Sequence, residues 1–187
     1  MKWMKKLSKK RRLFPIREEK MQTILGIDPG LATTGYGAIE SVDNTELEMK
    51  GCGVVKTPAE EDFCNRLEIL YDSIFKLTSR YQPDVISVEK LFFCKNVKTA
   101  IKVGQARGVI LLAAGEAEAE LTEYSPLKVK KTLTGNGNAD KKAVQKMVKN
   151  ELALSGVPKP DDAADALAIA ICHVIISRYQ SKLPADQ

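Results

Sequence analysis

The chain has 187 residues, 44% of them apolar, with a formal net charge of +5; that length is enough for one domain with a sizeable core. The charge is uneven: residues 1–20 hold nine basic and two acidic side chains, leaving 20 basic against 22 acidic residues, net −2, in the rest. A uniformly basic nucleic-acid-coating surface is therefore excluded, and any such contact must come from a local patch. The four cysteines (52, 64, 94 and 172) form no C-x-x-C pair and there is one histidine, His173, which excludes the usual zinc spacings and a secreted disulfide framework and points to a reducing cytoplasm. The longest apolar runs, Val109–Ala114 and Ala166–Ile176, fall short of the ~18 residues of a membrane span.

Residues 1–20 read as a basic extension without the apolar core of a secretory signal. They either grip phosphate or arise from an upstream start, since Met21 is itself a candidate start. The folded domain is expected over residues 21–179, with 180–187 as a tail.

Ile24, Leu25 and Ile27 make a short apolar run that ends in Asp28-Pro29-Gly30. This is the pattern of a buried strand closed by a turn. A carboxylate at the end of such a strand is either an ordinary turn-forming Asp or a site residue that needs a positive partner. Thr34–Glu40 and Leu47–Thr57 are two further strands, with Val42–Thr45 turning between them, so three strands form an antiparallel meander. The glycines at 35 and 37 are expected to keep the space beside Asp28 open for a ligand.

Phe63, Leu67, Leu70, Tyr71, Ile74, Leu77 and Thr78 recur at helical spacing, which predicts an amphipathic helix over 61–81 that Pro83 ends. Asp84–Val88 is a fourth strand with Glu89 at its carboxyl end. A helix over 96–119 follows, and it carries Ala100, Gly104 and Gly108 along nearly one face. Mid-helix glycine costs about 1 kcal/mol against alanine, so that face implies a close neighbour: the chain's own sheet or the same helix of a second subunit. Leu121–Tyr124 is a fifth strand. Short helices are predicted over 127–133, opened by Pro126, and over 140–154, and a largely apolar last helix over 162–179. The order gives an α/β fold: a five-stranded mixed sheet, with strands 1, 4 and 5 parallel and helices on both faces.

Strands 1 and 4 are natural central neighbours, which brings Asp28 and Glu89 side by side. Asp162 and Asp165, at i and i+3, share a face in the first turn of the last helix. Capping is the plainer reading of that acidic turn, with Asp161 as N-cap. Four converging acids repel one another unless cations intervene, and oxygen ligands alone select Mg²⁺ or Mn²⁺. Two such ions can clamp a phosphodiester for in-line hydrolysis.

Several of these segments, in order, resemble the RuvC-type Holliday-junction resolvases of the ribonuclease H-like superfamily. They are Ile24–Gly30 with Thr34–Gly37, Val88-Glu89 before Phe92, Lys95-Asn96, Gly104–Gly108, and Asp162–Ala170. The likeness spans about residues 21–177. It implies a ribonuclease H-like fold and a structure-selective endonuclease that makes paired symmetric nicks, leaving 5′-phosphate and 3′-hydroxyl ends. The implied catalytic tetrad is Asp28, Glu89, Asp162 and Asp165, holding two Mg²⁺ with Mn²⁺ as a substitute. The resemblance also marks Lys130 and Lys141 as DNA-binding and turns Phe92 outward to stack on a base. The partners it implies are four-way junction DNA, a second copy of the chain joined through the Ala100/Gly104/Gly108 face, and the RuvA–RuvB branch-migration complex. Residues 1–20 have no counterpart in it. An actin-like or sugar-kinase ATPase would need a second Asp-x-Gly loop and more length, and a non-catalytic junction binder would not need the tetrad.

Overall fold

The computed structural model describes residues 21–42, 46–90 and 97–181. The basic extension, the end of the C-terminal tail and Phe92 lie outside these residues. The elements are β1 (Met21–Asp28), β2 (Thr33–Val42), β3 (Glu46–Lys56), α1 (Phe63–Tyr81), β4 (Val85–Glu89), α2 (Val97–Gly115), β5 (Glu120–Tyr124), α3 (Pro126–Thr134), α4 (Lys141–Glu151) and α5 (Asp161–Gln180). The strands form one sheet in the order β3-β2-β1-β4-β5. β1, β2 and β3 pair antiparallel, and β4 pairs parallel with β1 and with β5. The meander, the parallel half and the central β1–β4 pair expected from the sequence are all present.

Both sheet faces are covered, which is why β1 reads as an unbroken apolar run rather than an alternating one. Its even positions face one way and its odd positions the other. Ile24 joins a core with Val129, Val144, Val148, Leu167 and Ile171, on the side of α3, α4 and α5. Leu25 and Ile27 join the opposite core with Leu70, Ile74, Ala106 and Ile110, on the side of α1 and α2. The same alternation puts Asp28 on the α5 side.

Local signals set the helix ends. Asp62 caps α1 by accepting from Asn65 N at 3.0 Å, Ser125 caps α3 ahead of Pro126, and Asp140 caps α4 by accepting from Ala143 N at 2.7 Å. Two helices stop earlier than the apolar pattern predicts. α2 ends at Gly115, and α4 ends at Glu151 because Ala153 takes a left-handed φ of 47°, after which Leu152 and Leu154 fold back onto the core. Asp161 is not the cap of α5: Pro160 holds that position and makes no side-chain capping bond. The Asp161 carboxylate is instead engaged by Lys159 Nζ at 2.9 Å and Lys141 Nζ at 3.7 Å. Among the described residues no helix is long and apolar enough to cross a membrane.

Candidate metal centre

β1 and β4 end together. Their register sets Ile27 beside Val88, so the next residues, Asp28 and Glu89, stand side by side at the carboxyl edge of the sheet. The turn after Asp28 is tied down. Thr34, fully buried, donates its hydroxyl to Gly30 O at 2.6 Å and accepts from Gly30 N at 3.2 Å. Thr57 Oγ1 donates to Leu31 O at 2.6 Å and in turn accepts from Arg66 Nε at 2.9 Å. Thr34 belongs to the Thr34–Gly37 segment of the family resemblance, and the structure adds its role as the tie of this turn. The available signal is a polar residue at a fully buried strand position, four residues beyond a turn glycine.

Helix α5 supplies the remaining carboxylates, and the glycines of β1 and β2 let it come close. A Cβ added at Gly26 would collide with the carbonyl oxygen of Ala166, one at Gly35 with that of Asp162, and one at Gly37 with the Leu167 side chain. This corrects the expectation that glycines 35 and 37 hold open space for a ligand. The space is filled by α5, whose backbone lies against the sheet only because these positions carry no side chain. That contact brings Asp162 and Asp165 to Asp28: one carboxylate oxygen from each lies within 4.8 Å of the others. Glu89 completes the group from β4. Asp28, Glu89 and Asp165 line one cleft of about 210 Å³ together with Lys130, Lys141, Pro126, Val129, Val144 and Ala168.

The electrostatics follow from this crowding. Burial first, then the charges of Asp165 and Asp162, push the Asp28 pKa up to about 7, with Lys141 working against the shift. Burial, then Asp28 and Asp165, push Glu89 up to about 7, with Lys130 opposing. Lys141 Nζ sits 2.8 Å from Asp165 Oδ2. Among the described residues, two lysines leave the acids undercompensated, so the crowding drives Asp28 and Glu89 toward their neutral forms. A hard divalent cation fits this site: the donors are all carboxylate oxygens, they already converge, and its charge would offset the repulsion that pushes their pKa values up.

The remaining predicted residues divide. Lys130 and Lys141 stand in the cleft itself. On α2, Ala106, Ile110, Ala113 and Ala114 face the core, while Ile101, Gln105, Gly108 and Leu112 face outward. Ala100 and Gly104 are half-buried, and no atom of the described residues lies within 4 Å of a Cβ built on Gly108. The chain's own sheet is therefore not the close neighbour of Gly108. Two large apolar side chains on this side, Ile101 and Leu112, are 57% and 61% exposed.

A five-stranded mixed sheet of this order, with carboxylates at the ends of its two central strands and on the helix packed over them, defines the ribonuclease H-like class of α/β proteins. The family model described as crossover junction endodeoxyribonuclease RuvC matches residues 24–173, and the chain belongs to the RuvC family. The crossover junction endodeoxyribonuclease RuvC of Natranaerobius thermophilus is 49% identical over 160 residues, covering 86% of this chain and 99% of that protein. The RuvC of Halothermothrix orenii is 52% identical over 150 residues, covering 80% and 90%. Among solved structures, Thermus thermophilus RuvC superposes with a TM-score of 0.77 at 34% identity over 84% of this chain and 96% of that one. The same protein in complex with a Holliday-junction substrate matches equally well, with a TM-score of 0.77 at 32% identity over the same 84% and 96%. The yeast mitochondrial Holliday-junction resolvase Ydc2, at 18% identity, TM-score 0.63 and coverage of 85% and 82%, shares the fold.

Proposed function

We propose that this chain is a structure-selective endonuclease that resolves Holliday junctions by metal-assisted hydrolysis of a phosphodiester in each of two opposed strands. The observation that carries the reading is the meeting of Asp28, Glu89, Asp162 and Asp165 beside Lys130 and Lys141, in a chain of the RuvC family. Asp28, Glu89 and Asp165 are the metal-holding carboxylates, and Asp162 either ligates or orients the attacking water. Bound Mg²⁺, or Mn²⁺ in its place, would supply Lewis acidity that lowers the pKa of a water and stabilises the departing 3′-oxygen. The chain's own contribution is position. The tied turn at Thr34 holds Asp28, the glycine-seated α5 holds Asp162 and Asp165, and the two lysines draw a phosphate into the cleft. Products are a 5′-phosphate and a 3′-hydroxyl.

The two-fold symmetry of a four-way junction suits a C₂ dimer that presents two such clefts. The exposed apolar side of α2, with Gly108 uncovered and Ile101 and Leu112 in water, supports a homodimer through the Ala100/Gly104/Gly108 region. Partnership with RuvA–RuvB and action in the cytoplasm rest on family membership.

One assay tests the reading: nicking of a synthetic four-way junction against a linear duplex of the same arms, with and without Mg²⁺. The wild-type chain is expected to cut the junction in paired positions and spare the duplex, while Asp28→Asn binds the junction and does not cut it. Equal cleavage by Asp28→Asn, or equal cleavage of duplex and junction, overturns it.

A further inference from the structure

One side chain of α2, Arg107, makes polar contacts that neither the core nor the helix's exposed side explains. Arg107 lies between those two faces, and its side chain is 17% exposed. Its Nε donates to the main-chain carbonyl oxygen of Glu89 at 3.4 Å, and its guanidinium forms an ion pair with the Glu123 carboxylate on β5. These acceptors belong to adjacent strands. Val88 pairs with Glu123 and Glu89 with Tyr124, and Lys90 N donates to Tyr124 O at 2.8 Å just past the end of β4. The guanidinium thus spans the carboxyl ends of β4 and β5 at the residue whose side chain lines the metal cleft.

A strand end is where a backbone is least constrained. The carbonyl of Glu89 is at the last ladder position of β4, and Lys90 after it is outside the strand. A planar fork of five donors can hold that carbonyl and the Glu123 carboxylate at once, whereas an ammonium on a flexible stem fixes one acceptor at a time. The neighbouring residue Ala106 and, one turn on, Ile110 are fully buried, so α2 gives the guanidinium a firm base.

We propose that Arg107 is a positioning residue: by clamping the Glu89 peptide to Glu123 and to α2, it sets where the Glu89 carboxylate enters the metal site. The proposal rests on the nuclease reading above and adds a link to it. The helix that carries the candidate dimer surface on its outer side also holds one wall of the metal centre. Glu123 is a supporting partner that keeps the guanidinium aimed at the Glu89 carbonyl.

The test uses the full chain with Arg107→Met, Arg107→Lys and Glu123→Ala. Mg²⁺ affinity is read by calorimetry on the DNA-free protein, junction affinity by gel shift in EDTA, and nicking by the junction assay. Loss of an outer partner of a metal-holding residue typically costs 10–100-fold in metal affinity or activity. Arg107→Met is therefore expected to weaken Mg²⁺ binding by about tenfold or more and to slow nicking at fixed Mg²⁺, with partial recovery as Mg²⁺ is raised. Junction affinity in EDTA should match the wild type. Arg107→Lys and Glu123→Ala should fall between wild type and Arg107→Met. Should Arg107→Met fail to fold, Arg107→Lys carries the same comparison. Unchanged Mg²⁺ affinity in a folded variant overturns the proposal, including where the melting temperature alone falls. A loss of junction affinity in EDTA equal to the loss of nicking also overturns it, because Arg107 would then be a phosphate contact. Failure of the wild-type chain to nick would count against the nuclease reading, whereas wild-type nicking with an unaffected Arg107→Met would count against Arg107 alone.

Discussion

The ammonium of Lys141 lies 2.8 Å from the Asp165 carboxylate, and both residues line a cleft that also holds Asp28 and Glu89. A residue marked by family resemblance for DNA thus contacts a carboxylate of the candidate metal centre. Its charge opposes the upward shift of Asp28, and the contact raises its own pKa, chiefly through the hydrogen bond to Asp165. In Lys141→Met the metal-free protein should lose a little stability at pH 8. The loss should be no more than about 1 kcal/mol, because the lysine side chain is 48% exposed. Mg²⁺ should erase the difference, since the cation neutralises the same carboxylates. Thermal melts with and without Mg²⁺ check this, and a larger deficit in Mg²⁺ than without it would contradict the charge argument.

Two acids with pKa values pushed to about 7 impose a pH dependence whose sign is fixed. Unfolded, Asp and Glu titrate near ~4. Between there and about 7 the native state binds more protons than the unfolded state, so stability falls as pH rises through that window. Metal-free protein should therefore melt lower at pH 8 than at pH 5.5. Mg²⁺ should raise the melting temperature more at pH 8 than at pH 5.5, because at the lower pH it competes with protons. Asp28→Asn removes one of the repelling charges and should melt higher than wild type at pH 8 without metal. A flat pH profile of the metal-free protein would refute the assignment of the shifts to this cluster.

Gly35 gives the sharpest test of how the carboxylates are brought together. A Cβ there meets the backbone of Asp162, which cannot swing aside as a flexible side chain could. Gly35→Ala should force α5 off the sheet at its first turn, at a cost of about 1–3 kcal/mol. Mg²⁺ affinity should fall by more than the same variant loses in overall stability, because Asp162 and Asp165 move while most of the core stays. Calorimetric Mg²⁺ titration beside a denaturant melt separates the two, and wild-type Mg²⁺ affinity in a folded variant would show that α5 seats differently.

What the sequence disclosed follows from which properties are local. Ile24–Asp28 and Asp84–Val88 with Glu89 after it each announce a buried strand ending at an acid by composition alone, and chain order makes them neighbours. Asp162 and Asp165 share a face by helical arithmetic. The glycines were visible, but their purpose was not: an absent side chain gives no sign of whether water, ligand or helix fills the space. Asp161 read as a cap because acid-before-helix is a local rule, whereas Pro160 and two lysines decided its position through contacts that spacing does not encode. Arg107 and Glu123 are ordinary charges 16 positions apart in the sequence, and only the packing of α2 against the sheet shows that they meet at Glu89. Such long-range polar pairs carry no periodicity to detect.

Gly108 separates monomer stability from association. Among the described residues of the monomer nothing lies within 4 Å of a Cβ at this position and the residue is exposed, so Gly108→Ala should stabilise the isolated helix by up to about 1 kcal/mol. Gly108→Arg should fold as well as wild type, because the monomer has room for it. In a dimer that brings two α2 helices together here, however, the arginine should block close approach and place two like charges face to face. Sedimentation velocity is expected to show wild type as a dimer and Gly108→Arg shifted to monomer. Junction nicking should then change from paired cuts to single ones, as each cleft acts alone. A Gly108→Arg protein that remains dimeric and makes paired cuts would remove this face of α2 from the interface and require the two clefts to be joined through another surface.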